Sequence, residues 1–224
     1  MPLSREQRLE ALERARLYFV CDGRPDGRDP GPLLAAALRG GADMIQLREK
    51  APRCAEELIS LADAFRRAAD AHGGLFILND RPDLVGACGA DGAHVGQGDM
   101  PVAEARGLAG PDALIGLSTH SVAEIDAACA AVGDARPDQI SVGPVWETPT
   151  KEGRPATGLE LVAHAARAAT IPWFAIGGID TENVLDVVTA GAGRIVVVRA
   201  IRDARDPEAA AGALSGALAR EAVS

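Results

Sequence analysis

The stretch ADMIQLREKAP, residues 42–52, changes abruptly from apolar to charged side chains. Residues 44–47 form a mainly apolar run that is typical of a buried strand, and an Arg-Glu-Lys triplet follows directly. Because side chains alternate between the two faces of a strand, Gln46, Arg48 and Lys50 share one face. The stretch therefore predicts a strand whose carboxyl end directs an amide and two cations to the same side.

Similar short apolar runs recur along the chain, with Ala-rich amphipathic stretches between them. Strands that alternate with helices are typical of a parallel sheet with helical crossovers. Ser121 and Asp180 are the expected caps of two of the helices. We predict strands at 16–20, 44–48, 75–79, 93–96, 114–118, 139–145, 173–178 and 194–200, and helices near 31–39, 53–71, 82–88, 102–108, 122–132, 159–169, 181–190 and 207–221.

The number of strand–helix units decides between two α/β folds. Eight units in 224 residues favour a single (β/α)8 TIM barrel, with residues 1–224 as one domain and a barrel core at about 16–222. The segment before Leu17 would be an extra N-terminal helix that covers the barrel bottom. A doubly wound open sheet is the alternative, but it would carry a G-x-G-x-x-G motif after the first strand. The glycines of VCDGRPDGRDPG, residues 20–31, lack that spacing.

Composition excludes several classes of function. The net charge of −9 argues against broad nucleic-acid binding, which needs a basic surface. No apolar run reaches the roughly 18 residues of a membrane span, and the first residues lack the apolar core of a secretory signal. The four cysteines are far apart and show no C-x-x-C spacing, so we expect reduced thiols in a cytoplasmic protein.

Polar residues crowd the predicted carboxyl ends of the strands, where barrels of this kind carry their chemistry. The starts of the strands show nothing comparable. Each residue has a structural alternative when it is taken singly: Arg48 could be a surface charge, and Asp80 or Asp99 could cap a helix. Their common rim favours a site. The residues are Gln46, Arg48, Lys50, Asn79, Asp80, Gln97, Asp99, Ser118, Thr119, His120, Gly177, Gly178 and Arg199.

Two carboxylates and several cations around one mouth indicate a divalent metal ion that acts with a polyanion. Asp80 and Asp99 supply hard oxygen ligands, for which Mg²⁺ is the natural metal once water and phosphate oxygens complete its shell. Zinc would need His or Cys clusters, which are absent. The loop TPTKEG, residues 148–153, could clamp an anion and cover the site, or could be an ordinary solvated loop.

Seven motifs together resemble the thiamine-phosphate synthase (thiamine-phosphate pyrophosphorylase) family in order and spacing, from Leu17 to Ile201. They are QLREK (46–50), NDRPDL (79–84), ADGAHVGQGDMP (90–101), GLSTHS (116–121), SVGPVWETPTK (141–151), AIGGI (175–179) and VVVRAI (196–201). The resemblance implies a (β/α)8 barrel and a transferase. Its reaction joins 4-amino-2-methyl-5-hydroxymethylpyrimidine diphosphate to 4-methyl-5-(2-hydroxyethyl)thiazole phosphate, or to the carboxylated form, and releases diphosphate. The implied route is dissociative, with departure of the diphosphate as the costly step.

The resemblance also implies roles for individual residues. Asp80 and Asp99 would ligate one Mg²⁺ per subunit, and Arg48, Lys50, Ser118 and Lys151 would be catalytic. The pyrimidine diphosphate would be bound by Gln46, Leu47, Arg48, Glu49, Lys50, Asn79, Ser118 and Lys151. The thiazole phosphate would be bound by Thr148, Pro149, Thr150, Gly178, Val198 and Arg199. Small-molecule substrates, no membrane or nucleic-acid partner, and possible self-association are expected.

One position departs from the family pattern, and three other functions compete with the assignment. Arg199 stands where the family commonly has Ser, so it could bind phosphate or swing away and leave its backbone N–H to do so. A thiazole tautomerase of the same fold would have no use for Arg48, Lys50, Asp80, Asp99 or Lys151. A non-catalytic regulator would be expected to lose the carboxylate pair. A generic phosphosugar enzyme would explain AIGGI but neither the two aspartates nor TPTK.

Overall fold

The computed structural model describes residues 3–49, 53–147 and 155–219. Within these ranges, eight parallel strands pair in sequence order, and the last pairs with the first to close a barrel. The predicted (β/α)8 barrel is confirmed, and the open doubly wound sheet is wrong. The strands are β1 Leu17–Cys21, β2 Met44–Leu47, β3 Leu75–Asn79, β4 Gly92–Val95, β5 Leu114–Thr119, β6 Gln139–Val142, β7 Trp173–Ile176 and β8 Ile195–Val197.

Helices surround the barrel, and their bounds differ from prediction mainly at the starts. The predicted helix at 82–88 is a 3-10 turn, Pro82–Leu84, followed by a single α-helical turn. The predicted helix at 181–190 begins only at Val184, because Asp180 caps a preceding turn by accepting the N–H groups of Glu182 and Asn183. The helices are α1 Arg5–Arg14, α2 Gly31–Arg39, α3 Ala55–His72, α4 Val85–Cys88, α5 Val102–Ala109, α6 Val122–Ala130, α7 Gly158–Ala168, α8 Val184–Thr189, α9 Arg199–Arg202 and α10 Pro207–Ala219.

Three strands end two or three residues earlier than predicted because the residues that follow leave the extended conformation. β6 ends before Gly143-Pro144, where proline offers no N–H to the ladder. β7 ends at Ile176, before Gly177, whose φ of 109° lies outside the strand region. β8 ends before Arg199, where α9 begins. All three changes occur at the carboxyl rim.

The buried side chains form two layers, as expected from the alternation of strand residues. Tyr18, Met44 and Phe174 belong to the cluster inside the barrel, whereas Phe19 and Ile45 belong to the cluster between the strands and the helices. Leu12 of α1 is fully buried within the inner cluster, so α1 covers the barrel bottom as predicted. No helix in the described part of the chain is long and apolar enough to cross a membrane.

Three aspartates stand directly before β2, β4 and β6 at the amino end of the barrel. Asp43, Asp91 and Asp138 each accept a hydrogen bond from a backbone N–H of the preceding strand, at 2.7–3.0 Å. Asp138 also pairs with Arg5 at 2.6 Å and with Arg106 at 3.0 Å. The expectation that strand starts carry nothing comparable is therefore wrong. These carboxylates satisfy backbone donors at the end of the barrel opposite the mouth, so their role is structural.

Candidate functional site

A cavity of about 340 Å³ opens at the carboxyl ends of the strands, where the sequence predicts the site. Its wall includes side chains from both sides of the barrel and the backbone of the loops after β7 and β8. Eight predicted site residues line it, namely Gln46, Arg48, Asn79, Ser118, Gly177, Gly178, Val198 and Arg199. The structure therefore brings together residues that are as far apart in the chain as Gln46 and Arg199.

The described side chains of the QLREK motif, at residues 46–49, point alternately to the two faces of β2, so only some of them reach the cavity. Gln46 and Arg48 line the cavity, and the Arg48 N–H continues the ladder to the Cys21 carbonyl at 2.9 Å. Leu47 is buried among the residues between the strands and the helices. Glu49 pairs with Arg53 at 3.4 Å. The side chains of Leu47 and Glu49 are not among those that line the cavity, and the predicted role of both residues in binding the pyrimidine diphosphate stays a prediction.

Gln46 is held by an aromatic residue inside the barrel. Its Nε2 donates to the Tyr18 hydroxyl at 2.6 Å, and both side chains are buried. Burial raises the pKa of Tyr18 far above its usual value, so the phenol stays protonated at physiological pH. Tyr18 in turn packs edge-on against Phe174, with ring centroids 5.7 Å apart. The Gln46 amide is therefore oriented before any ligand binds.

Asp80 and Asp99 are brought within hydrogen-bonding distance of one another at the rim. Burial and the negative charge of Asp99 raise the pKa of Asp80 to about 6, against the opposing effects of Arg48 and Asn79. Asp80 has a φ of 58°, and its N–H donates to the His94 carbonyl at 2.9 Å. Asp99 accepts the Gly96 N–H at 2.8 Å. Two neighbouring carboxylates that repel one another when both are charged are suited to a cation.

The structural alternatives for these residues fail. The 3-10 turn at Pro82–Leu84 and helix α5 have no side-chain cap, so Asp80 and Asp99 do not cap the elements that follow them. Within the described ranges, Arg48 makes no ion pair that would mark it as an ordinary surface charge. Its guanidinium instead acts on the Asp80 carboxylate through its charge.

The donor set fits magnesium rather than zinc. In the described part of the chain, no three His, Cys, Asp or Glu residues form a group that could hold a metal ion. Mg²⁺ needs fewer protein ligands, because it keeps waters and phosphate oxygens in its octahedral shell. Two carboxylates beside a cation-lined cavity meet that requirement, and the magnesium site stays a prediction.

Tight packing leaves room only for glycine at the loop after β7. Gly177 and Gly178 have φ values of 109° and 71°, and a Cβ on Gly177 would lie 2.5 Å from Pro144 Cα. The Asn183 amide donates to the Gly178 carbonyl at 2.8 Å and anchors the loop. Arg199 is exposed at the start of α9 and has no ion-pair partner within the described ranges. On this side of the mouth, the cavity is therefore lined by the tightly packed backbone at Gly177 and Gly178 and by Arg199, whose guanidinium is unpaired among the described residues.

Some residues predicted for the site do not line the cavity, and some polar residues of the barrel interior were not predicted from the sequence. Lys50, Thr148, Pro149, Thr150 and Lys151 lie outside the described residues, so their roles stay predictions. His120 does not line the cavity; its N–H donates to the Glu124 carboxylate at 2.6 Å. Sequence reasoning missed Tyr18, Gln139 and Ser141. The available signal was a polar side chain at an inward-facing position of an apolar strand, as in QISV at residues 139–142.

Comparisons with known proteins agree with the motifs. A family model described as thiamine monophosphate synthase matches residues 17–201. A thiamine-phosphate synthase of Arthrobacter sp. (strain FB24) is 50% identical over 227 residues, covering 92% of this chain and 95% of that protein. A thiamine-phosphate synthase of Acidothermus cellulolyticus is 49% identical over 213 residues, covering 95% and 99%.

Solved structures agree with the fold. A thiamine phosphate pyrophosphorylase from Pyrococcus furiosus superposes with a TM-score of 0.81 at 29% identity, covering 93% of this chain and 98% of that chain. A 3-hexulose-6-phosphate synthase superposes with a TM-score of 0.65 at 19% identity over 90% of this chain and 99% of its own, which is a likeness of fold alone.

Proposed function

The chain belongs to the thiamine monophosphate synthase family, and from that premise we propose that its cavity at the carboxyl ends of the strands is where thiamine phosphate forms. The reaction is a transfer that joins a pyrimidine diphosphate to a thiazole phosphate and releases diphosphate. One observation carries the location. Arg48 lines a cavity of about 340 Å³ and acts through its charge on Asp80, which in turn lies beside Asp99.

Arg48, Asn79 and Ser118 are the proposed contacts of the diphosphate. All three line the cavity, and Arg48 has no ion-pair partner within the described ranges, so its charge is available to a ligand. Negative charge grows on the diphosphate as its bond to the pyrimidine methylene breaks. Donors held in place before the reaction stabilise that charge without having to reorganise. Lys50 and Lys151 are assigned to the same group by their motifs.

Asp80 and Asp99 are the proposed ligands of Mg²⁺, and their mutual repulsion supports the assignment. When bound, the ion would neutralise charge on the departing diphosphate. Arg48 lies within electrostatic reach of Asp80, so the carboxylates and the guanidinium would act on the same leaving group. Removal of one carboxylate would leave the Mg²⁺ with too few protein ligands at ordinary concentrations.

The remaining residues are assigned to positioning of the two rings. Gln46, which is oriented by Tyr18, would contact the pyrimidine. The phosphate of the thiazole would lie against Gly178, Val198 and Arg199. The C–O bond to diphosphate breaks with its electron pair, and the thiazole nitrogen then forms the new C–N bond with its lone pair. No protein base is required, and binding both substrates by their phosphates supplies the alignment.

The compartment and assembly state belong to the same proposal. All four cysteines are free thiols, which supports the cytoplasm as the site of action. Self-association is expected from the fold and is open to a measurement of mass in solution.

The test is an assay with purified protein, both substrates and Mg²⁺. We expect thiamine phosphate and diphosphate in equal amounts. EDTA should abolish turnover and excess Mg²⁺ should restore it. Full turnover in the presence of EDTA would contradict the metal assignment but not the reaction, whereas failure to form thiamine phosphate would contradict both.

A further inference from the structure

Four polar side chains are buried inside the barrel, directly beneath the mouth. His94 on β4, Ser118 on β5, and Gln139 and Ser141 on β6 are each at most 7% exposed. Buried polar groups are costly unless they are hydrogen-bonded, so such a cluster needs a reason. The proposed function uses Ser118 alone.

These side chains form a series of hydrogen bonds whose donors and acceptors can be assigned. Gln139 Nε2 lies 3.1 Å from His94 Nδ1, and His94 Nε2 lies 3.0 Å from Ser118 Oγ. An amide nitrogen can only donate, so Nδ1 accepts its hydrogen bond. A neutral imidazole that accepts at Nδ1 carries its proton on Nε2. His94 therefore donates to Ser118 Oγ. Ser141 Oγ is more distant, at 3.4 Å from His94 Nε2 and 3.5 Å from Ser118 Oγ.

Gly116 provides the space for this arrangement. In the barrel register it pairs with His94 on one side and with Gln139 on the other. A Cβ at position 116 would overlap both Gln139 Nε2 and His94 Nδ1, the two atoms of the contact. Its φ lies outside the positive range, so backbone conformation does not require glycine here. The missing side chain is what allows His94 and Gln139 to meet across the intervening strand.

We propose that His94 and Gln139 are positioning residues that direct the Ser118 hydroxyl proton toward the diphosphate. A hydroxyl oxygen that accepts from Nε2–H keeps its own O–H for another acceptor, here an anionic oxygen of the substrate. With the other tautomer, Ser118 would donate to His94 and present lone pairs to the anion. No proton is transferred. The inference rests on the proposed contact between Ser118 and the diphosphate.

The first test measures the tautomer in the substrate-free protein by long-range ¹H–¹⁵N correlation NMR, with His94→Gln to assign the signal. We expect a protonated Nε2 and an unprotonated Nδ1. Gln139→Glu replaces the amide donor with an acceptor, so it should move the proton to Nδ1. A wild-type His94 protonated at Nδ1, as the reverse orientation of the Gln139 amide would require, overturns the proposal. This readout does not depend on the proposed function.

The second test is a double-mutant cycle on turnover. Gln139→Glu and Ser118→Ala should each lower kcat by roughly tenfold, the scale of one hydrogen bond, and the double variant should be no slower than Ser118→Ala. His94→Gln keeps an N–H near the Nε2 position and should retain more activity than His94→Leu.

Ile140→Val is the matched control, because Ile140 is fully buried on β6 between Gln139 and Ser141 but packs in the cluster that β6 forms with α6 and α7. It should leave both the tautomer and kcat unchanged. Additive losses in the cycle would mean that Gln139 acts independently of Ser118 and would overturn the proposal. Wild-type turnover in Ser118→Ala would overturn the proposed contact of Ser118 with the diphosphate, and the positioning role with it.

Discussion

Replacing Asp80 with Asn removes one of two facing carboxylates with little change in shape. Asp80 has a φ of 58°, and Asn is one of the few residues that tolerate this region. The Asn oxygen can still accept the hydrogen bond that Asn79 donates to Asp80. The substitution therefore isolates the effect of charge, and in the absence of metal it should stabilise the protein.

The size of the effect follows from the pKa of Asp80, which burial and then Asp99 raise from 3.8 to about 6. For a fully shielded group, that displacement corresponds to about 3 kcal/mol of unfavourable free energy. The carboxyl is only partly shielded, because Asp80 as a whole keeps substantial contact with solvent, and screening therefore reduces the expected cost to about 1 kcal/mol. In a chain of 224 residues, 1 kcal/mol moves the Tm by about 2–4 °C.

The effect should depend on pH in a defined direction. A carboxyl whose pKa is raised in the folded state binds its proton more tightly there than in the unfolded chain. Below pH 3.8 the group is protonated in both states and costs nothing, and the cost grows as the pH rises through about 6. The Tm of Asp80→Asn should therefore exceed that of the wild type above pH 7, and the difference should shrink toward pH 5.

The assay is thermal unfolding in EDTA at pH 7.5 and pH 5.5, repeated with MgCl₂ at the higher pH. Asp26→Asn is the control, because Asp26 also has a positive φ, of 51°, but pairs with Arg28 rather than with a carboxylate. Mg²⁺ should raise the Tm of the wild type by mass action and leave Asp80→Asn unchanged. A metal-free Asp80→Asn that melts below the wild type at pH 7.5 would refute the reasoning.

Three further predictions concern the mouth, the barrel interior and the barrel bottom. Arg48→Ala should lower turnover by about 10²–10³, the scale of one preorganised donor, whereas the exposed Arg28→Ala should not; equal turnover in steady-state assays would contradict the role. Tyr18→Phe leaves the Gln46 amide without its acceptor and should cost about 1–3 kcal/mol of unfolding free energy in urea titrations. Asp138→Ala should cost about 3–5 kcal/mol by the same measurement, because the largely buried Arg106 loses its carboxylate partner, yet kcat of the folded fraction should be unchanged.

The alternation of β2 shows how much could be predicted locally. Gln46 and Arg48 face the cavity and Leu47 faces the helices, as the period of two requires. Strand and helix positions were also predictable, because apolar runs and amphipathic stretches are local patterns. The ends of β6, β7 and β8 were less accurate, since the residues that stop them continue the apolar composition while the backbone turns.

The amino end of the barrel and the buried cluster were harder to predict. Asp43, Asp91 and Asp138 look like ordinary loop residues in the sequence, and their purpose depends on a backbone donor in the preceding strand. His94 and Gln139 are 45 residues apart and meet only because both pair in register with Gly116. Register is set by packing of the whole barrel, which no single strand encodes.

The amino-acid sequence by itself determined the order of the elements, the inward face of each strand and the polar character of the carboxyl rim, because these depend on periodicity and on the common direction of parallel strands. Only the tertiary structure decided which rim residues touch. The repulsion between Asp80 and Asp99, the orientation of Gln46 by Tyr18 and the contact across Gly116 all act over a few ångströms between separate strands. Such distances follow from barrel closure and register, and these in turn follow from the packing of all eight strands together.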